Sequence, residues 1–271
     1  MAEKSLMWLI YRRTRVGIAF AGFILMYAFY TGLFGINMVL VALSVFFAEL
    51  FGACYNDSQD FKEDVRNNRR DKLTISRAFT PFQMMFVSIA MLLGSLISAL
   101  LSGFLLLAVM YLFMAWAYSY PKIRLKSHHI FGYAIIASTW LIIPLYLGFF
   151  FRGLVTPADI LFSLFFFLQY LYLLSQKDST DRKDDVNLFI KKGWGGAVEI
   201  CSILALLSSM MLLALSLPRI LLVLIWGLNL SVKIIHIEKI YVRSISRESR
   251  SNFTLMEFLT PYICIAGGFF A

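Results

Sequence analysis

Apolar runs separated by short polar intervals follow one another along the whole chain. A helix needs roughly 20 apolar residues to cross about 30 Å of hydrocarbon, so each run predicts one membrane-spanning helix. The nine runs fall at approximately 7–31, 36–55, 79–100, 104–120, 129–151, 158–177, 195–217, 219–237 and 252–271. Strands of a membrane barrel would instead alternate over about 10 residues. The predicted fold is an all-α membrane protein, a bundle of nine transmembrane helices. Pro81 and Pro157 stand near helix starts, where a missing N–H does no harm. Only Ser102-Gly103 separates the third and fourth runs, and only Leu217-Pro218 the seventh and eighth. Both pairs predict tight helical hairpins on one side of the membrane.

Composition agrees with the pattern. Of 271 residues, 60% are hydrophobic and 15% charged, against roughly 45–50% and 25% in soluble domains. Arg12, Arg13 and Arg15 precede a full-length apolar run without a small-residue cleavage pattern, so the first helix is expected to stay in the protein. Cys54, Cys201 and Cys264 are odd in number and lack paired spacing, which argues against a disulfide framework or a zinc site. They read as small buried hydrophobes.

A net charge of +9 does not point to nucleic acid, because the cations lie in the intervals between spans. Residues 1–15 hold four Lys and Arg, 57–77 six, 121–128 three, 177–194 five and 233–250 five. Only Arg152 and Arg219 remain for the other side. By the positive-inside rule the N-terminus and these four loops are cytoplasmic, and an odd number of spans puts the C-terminus outside.

The acids are less evenly spread. Nine of the sixteen lie in or beside two runs: Asn56-Asp57-Ser58-Gln59-Asp60-Phe61-Lys62-Glu63-Asp64 with nearby Asp71, and Asp178-Ser179-Thr180-Asp181-Arg182-Lys183-Asp184-Asp185. Spacings of three and four put Asp57, Asp60 and Asp64 on one helix face, and Asp181, Asp184 and Asp185 repeat the arrangement. Each run starts at the cytoplasmic end of a span, the second and the sixth. The halves are therefore expected to be related as a parallel repeat, approximately 1–128 and 129–271 of one membrane domain, with the two faces meeting over a central cavity.

Carboxylates at a helix C-terminus oppose the negative pole of the macrodipole and repel one another. Two arrangements supply the missing positive charge. Lys62, Arg66, Arg69, Arg70, Arg182 and Lys183 could form local ion pairs in solvated loops, or a divalent cation could sit between the acids. Two equivalent runs at matched helix ends favour the metal, since acids at a membrane edge are costly to keep. Oxygen ligands without His or Cys nearby suit Mg²⁺.

Three segments in order resemble the UbiA-type intramembrane prenyltransferase superfamily. Asn56-Asp57-x-x-Asp60-x-x-x-Asp64 is similar to its first signature, and Asp181-x-x-x-Asp185 to its second. Between them, Tyr118-Ser119-Tyr120-Pro121-Lys122-Ile123-Arg124-Leu125-Lys126 resembles the segment that follows the fourth span in that family. The resemblance implies an enzyme that transfers a prenyl chain from an allylic polyprenyl diphosphate to a lipophilic acceptor. It implies two Mg²⁺ ions, held by Asn56, Asp57, Asp60 and Asp64 on one side and by Asp181 and Asp185 on the other. Lys122 and Arg124, with Tyr118 as a hydroxyl donor, are the implied diphosphate contacts, followed by Arg69, Arg70 and Lys191. Arg15 either snorkels to the headgroups or points at phosphate.

The chain departs from the family pattern at Arg69-Arg70-Asp71-Lys72-Leu73-Thr74, where an Arg-Pro step and a Gly are common, and at Val186-Asn187-Leu188-Phe189, where a Gly is often found. These positions bear on the acceptor more than on the donor. An aromatic ring, as in quinone precursors, ranks ahead of a prenylglycerol phosphate, as in ether-lipid synthesis. The bilayer is the remaining partner, and no obligate protein partner is inferred. Phe149-Phe150-Phe151 and Phe165-Phe166-Phe167 could line a prenyl channel, although packing accounts for most aromatics at this density. His128 and His129 could act as a base, but read better as interfacial loop residues. A divalent-cation or solute transporter is the competing class, and a scaffold binding partners through its basic loops the third. Transporter sites usually lie at the midplane between inverted repeats, which these runs do not.

Overall fold

The computed structural model describes residues 6–66, 74, 79–177, 188–216, 220–244 and 256–257. Among them the chain is helical, without strands. The helices are α1 (Leu6–Thr31), α2 (Ile36–Gln59), α3 (Phe61–Arg66), α4 (Pro81–Ser102), α5 (Leu105–Ser119), α6 (His129–Arg152), α7 (Pro157–Lys177), α8 (Leu188–Lys191), α9 (Gly193–Ser216) and α10 (Ile220–Tyr241). A short 3-10 turn, Leu125–His128, precedes α6. Among the described residues six segments are long and apolar enough to cross a bilayer: Thr14–Thr31, Ile36–Gln59, Pro81–Ser102, Ile130–Arg152, Pro157–Gln176 and Gly193–Leu215. Leu105–Ser119 is apolar but shorter. The ninth expected span, 252–271, lies outside the described residues apart from Met256 and Glu257.

The helices group into two units, Met1–Leu25 with Phe34–Lys126, and Met26–Leu33 with Ser127–Ala271. In the first, α2 packs against α4 and α5. The buried face of α4 is largely small: Ser88, Ser95, Ser98, Ala99 and Ser102. Its large residues, among them Phe82, Phe86, Leu93, Ile97 and Leu100, face outward. Lipid is as apolar as leucine, so small residues that let backbones approach drive such packing. Ser44 and Ser95 hydroxyls lie 3.1 Å apart across this contact, and a Cβ at Gly94 would meet the Phe47 ring at 3.2 Å. Thr80 and Gln83 form a capping box with Pro81 in the first turn of α4. Gly103, left-handed at φ 75°, ends the helix and makes the tight turn into α5.

In the second unit α7 packs against α6 and α9, and α10 lies on α9. Trp140, Phe162, Phe165, Phe166 and Tyr172 are buried in its core. Phe165 and Phe166 are thus packing residues, and Phe149 and Phe150 face outward. The turn from α6 to α7 closes on one carboxylate. Asp159 accepts from the Tyr27 hydroxyl at 2.6 Å, from the Thr156 backbone N–H at 2.6 Å and from the Thr156 hydroxyl at 2.8 Å, and it pairs with Arg152. Gly148 leaves the room: a Cβ there would lie 2.5 Å from the Asp159 carboxylate. Lys233, counted above with a cytoplasmic loop, is instead wholly buried in α10, which continues to Tyr241.

Candidate functional site

The first acidic run begins inside α2. That helix extends to Gln59, past the expected end at 55, so Asn56 and Asp57 are helical. Asp60 caps α2 with its N–H on the Asn56 carbonyl at 2.9 Å, and the Asp64 N–H reaches the Asp60 carbonyl at 2.8 Å. The four-residue hydrogen-bond step therefore carries through from α2 into α3. Asp57 and Asp64 are buried, and Asp60 is partly buried.

α5 runs alongside α2 in register. Tyr111 donates to the Glu49 carboxylate, Gly52 brings α2 so close that a Cβ would meet that of Ala115 at 3.3 Å, and the Ser119 hydroxyl donates to the Asn56 side-chain oxygen at 2.7 Å. Partners rise together in both helices, so the two run parallel and end at the same level. The segment after α5 is thereby delivered to the acidic run. Tyr120 is extended, as the residue before Pro121 must be. Its carbonyl accepts from the N–H of Ile123 at 3.1 Å and of Arg124 at 2.7 Å, which closes a tight turn. Arg124 holds φ at 43°, the left-handed region that a non-glycine residue adopts only under constraint. From this turn Arg124 pairs with Glu63, and Lys126 pairs with Asp60 and lies 3.9 Å from Glu63.

The expected site residues are distributed as follows. Asn56, Asp57, Asp60, Asp64, Tyr118 and Arg124 all lie in the first unit, at or beside the end of α2 and α5. Lys122 is exposed on the turn, and Arg15 is half-buried near the start of the first apolar segment. Arg69, Arg70, Asp181 and Asp185 lie outside the described residues, and Lys191 is described only as the last residue of α8. Glu63, Ser119 and Lys126 are contacts of the run that the site residues chosen from sequence did not include. Lys126 stands in the matched segment. Ser119 could have been found from its place as the last residue of α5 before the Tyr-Pro break. Glu63, next to Asp64, carried no signal of its own.

The donor set is all oxygen, one amide and three carboxylates, the kind that suits Mg²⁺. Among the described residues no three His, Cys, Asp or Glu side chains converge as a ready-made metal cluster. The positive charge on Asp60 is that of Lys126, held by a flexible side chain.

The sequence profile of the UbiA prenyltransferase family matches residues 16–259. The chain belongs to that family. It is therefore a membrane prenyltransferase, an enzyme rather than a transporter or a scaffold. Two solved structures share its fold. A UbiA homologue from Aeropyrum pernix K1, in its apo form, is 16% identical, with a TM-score of 0.70 over 94% of this chain and 97% of that one. A UbiA homologue from Archaeoglobus fulgidus bound to GPP and Mg²⁺ is 18% identical, with a TM-score of 0.64 over 95% of this chain and 99% of that one. No curated protein matches the chain. In this prenyltransferase the segments joined by α2 and α5 are the first two of the three that carried the resemblance.

Proposed function

We propose that this prenyltransferase moves a prenyl chain from an allylic polyprenyl diphosphate to a lipophilic acceptor at the cytoplasmic membrane face, in a Mg²⁺-dependent reaction. One observation carries the reading: the α2–α5 register brings the first acidic run and the basic turn into direct contact through Asn56–Ser119, Asp60–Lys126 and Glu63–Arg124. Anionic and cationic side chains meet where a diphosphate and its counter-ions would both need partners. The Archaeoglobus homologue with GPP and Mg²⁺ supports the donor and the metal.

In this reading Asn56, Asp57, Asp60 and Asp64 hold one ion, and Asp181 and Asp185 a second. Bound Mg²⁺ supplies Lewis-acid stabilisation of the leaving pyrophosphate. The chain's own cations do the rest. Arg124 and Lys126 would turn from Glu63 and Asp60 to the diphosphate oxygens, with Lys122, Tyr118, Arg69, Arg70, Lys191 and Arg15 as further contacts. The C1–O bond of the donor breaks with its electron pair on pyrophosphate. The acceptor bonds to C1 and gives up a proton.

The same proposal takes nine spans in two parallel-related halves, with the N-terminus and the acidic runs cytoplasmic and the C-terminus outside, on the strength of the Lys and Arg distribution. An aromatic quinone precursor is the favoured acceptor, and a prenylglycerol phosphate the second. The test is to incubate purified protein with Mg²⁺, labelled prenyl diphosphates of several lengths and a panel of phenolic and glycerol-phosphate acceptors, and to identify products by mass. A coupled product is expected. Release of pyrophosphate from none of the donors would overturn the proposal.

A further inference from the structure

The second unit buries a polar cluster that the proposed reaction does not use. At its centre is Glu257, wholly buried. Its Oε1 accepts from the Tyr172 hydroxyl at 2.8 Å and lies 2.8 Å from His236 Nδ1. Its Oε2 accepts from Gln176 Nε2 at 3.2 Å, and its backbone carbonyl from Asn229 Nδ2 at 3.4 Å. An ionised carboxylate only accepts, and against it the Nδ1 of His236 would carry the hydrogen. Lys233 belongs to the same cluster: its Nζ donates to Ser208 at 2.7 Å and Ser209 at 3.2 Å, and lies 5.6 Å from the centre of the Tyr172 ring. Ionisable groups buried within a membrane bundle are costly and are kept where they do something.

The geometry of the donors says what that is. Tyr172 and Gln176 stand four residues apart, on one face of the last two turns of α7. His236, Lys233 and Asn229 line one face of α10. Glu257 thus ties the end of α7 to α10. The chain leaves α7 at Lys177, and Asp178 opens the second acidic run.

We infer that Glu257 is a positioning residue: by holding Tyr172 and Gln176 it fixes the end of α7, and with it the point from which Asp181 and Asp185 are presented to Mg²⁺. The inference rests on the reading of those aspartates as metal ligands. Truncating Glu257 removes the acceptor of the Tyr172 hydroxyl and a shared contact of Gln176 and His236 in a buried setting, at a cost that moves the helix end. Glu257→Gln keeps an acceptor oxygen toward Tyr172 and His236, and Gln176 can turn its amide to meet the new one.

The experiment compares the full-length wild type with Glu257→Ala, Glu257→Gln, Tyr172→Phe and Asp159→Asn, the last loosening the opposite end of α7. Two readouts are taken: amide hydrogen exchange over residues 171–177 against residues 36–59, and the Mg²⁺ concentration for half-maximal prenyl transfer. Glu257→Ala is expected to speed exchange at the end of α7 while leaving α2 unchanged. It is also expected to raise the Mg²⁺ requirement roughly tenfold, the lower range for losing a supporting contact of a metal site, with most of kcat restored at saturating Mg²⁺. Tyr172→Phe shifts both in the same direction by less, and serves if Glu257→Ala does not fold. Glu257→Gln stays near wild type, and Asp159→Asn lowers stability without changing the Mg²⁺ requirement. Unchanged exchange at α7, an unchanged Mg²⁺ requirement, or Glu257→Gln as impaired as Glu257→Ala would each overturn the inference. If the wild type transfers no prenyl group, the functional proposal fails, and the exchange comparison still decides the role of Glu257 at the helix end.

Discussion

Asp159 and Asp60 are both aspartates in largely buried pairs with a cation, and they differ in what surrounds the pair. Asp159 is wholly buried and is met by Tyr27, Thr156 and Arg152, so the carboxylate side of its pair is held by several hydrogen bonds. Asp60 belongs to a group of four carboxylates within eight residues; its own pair with Lys126 is largely buried, 11% and 15% exposed, while the neighbouring Arg124–Glu63 pair is about one-third exposed on each side, 33% and 35%. Exposed pairs are worth little and exchange readily, whereas breaking a buried one strands a charge. The comparison teaches that one aspartate is satisfied by neutral donors and a cation, whereas the other shares its surroundings with three more carboxylates, a crowding that a divalent cation would relieve in the proposed reading. One carboxylate holds a turn together, and in the proposed reading the others keep side-chain cations that would give way to a metal and a diphosphate.

Five substitutions test that contrast, in order of expected effect. Asp57→Ala and Asp181→Ala should each lower turnover by about 10²–10³-fold, the usual cost of removing an electrostatic contact to the developing charge. Thermal unfolding in detergent should change little in either, as steady-state assays and melts on the same preparations will show. Asp159→Ala should do the reverse, costing roughly 3–5 kcal/mol of stability because Arg152 is left without its carboxylate. Its turnover per folded molecule should match wild type. Equal loss of activity in the Asp159 and Asp57 variants would erase the distinction between the two sites.

Lys126→Met should raise the donor KM by about tenfold, the scale of one charge-assisted hydrogen bond, with kcat and melting nearly unchanged. A large drop in melting temperature with an unaltered KM would make Lys126 another fixed pair like Arg152. Ser119→Ala has the smallest predicted effect. It removes one hydrogen bond to Asn56, worth about 1 kcal/mol, and should raise the Mg²⁺ requirement a few-fold.

The legible part of the protein was the part written in local pattern. Apolar length marked the helices, and Gly103 and Pro157 marked their limits because each acts on its own backbone. The acidic runs could be read because their spacing is itself the helix repeat. What joins residues far apart in sequence was not legible. The place of Ser119 at the end of α5 can be read from the Tyr-Pro break, but its partner Asn56 cannot, since that depends on how closely Gly52 lets α5 approach. Lys233 counted as a loop cation because its charge is visible in sequence, while Ser208, Ser209 and Tyr172, which make its burial tolerable, lie on other helices. Asp159 drew no notice for the same reason: its partners Tyr27 and Arg152 are distant or unremarkable until folded.

The most direct test of the account is prenyl transfer by one preparation of the purified enzyme, measured first with Mg²⁺, then after EDTA, then after Mg²⁺ is restored. The carboxylate runs as a metal-dependent diphosphate clamp predict turnover that stops in EDTA and returns with Mg²⁺. Full turnover in EDTA would contradict it.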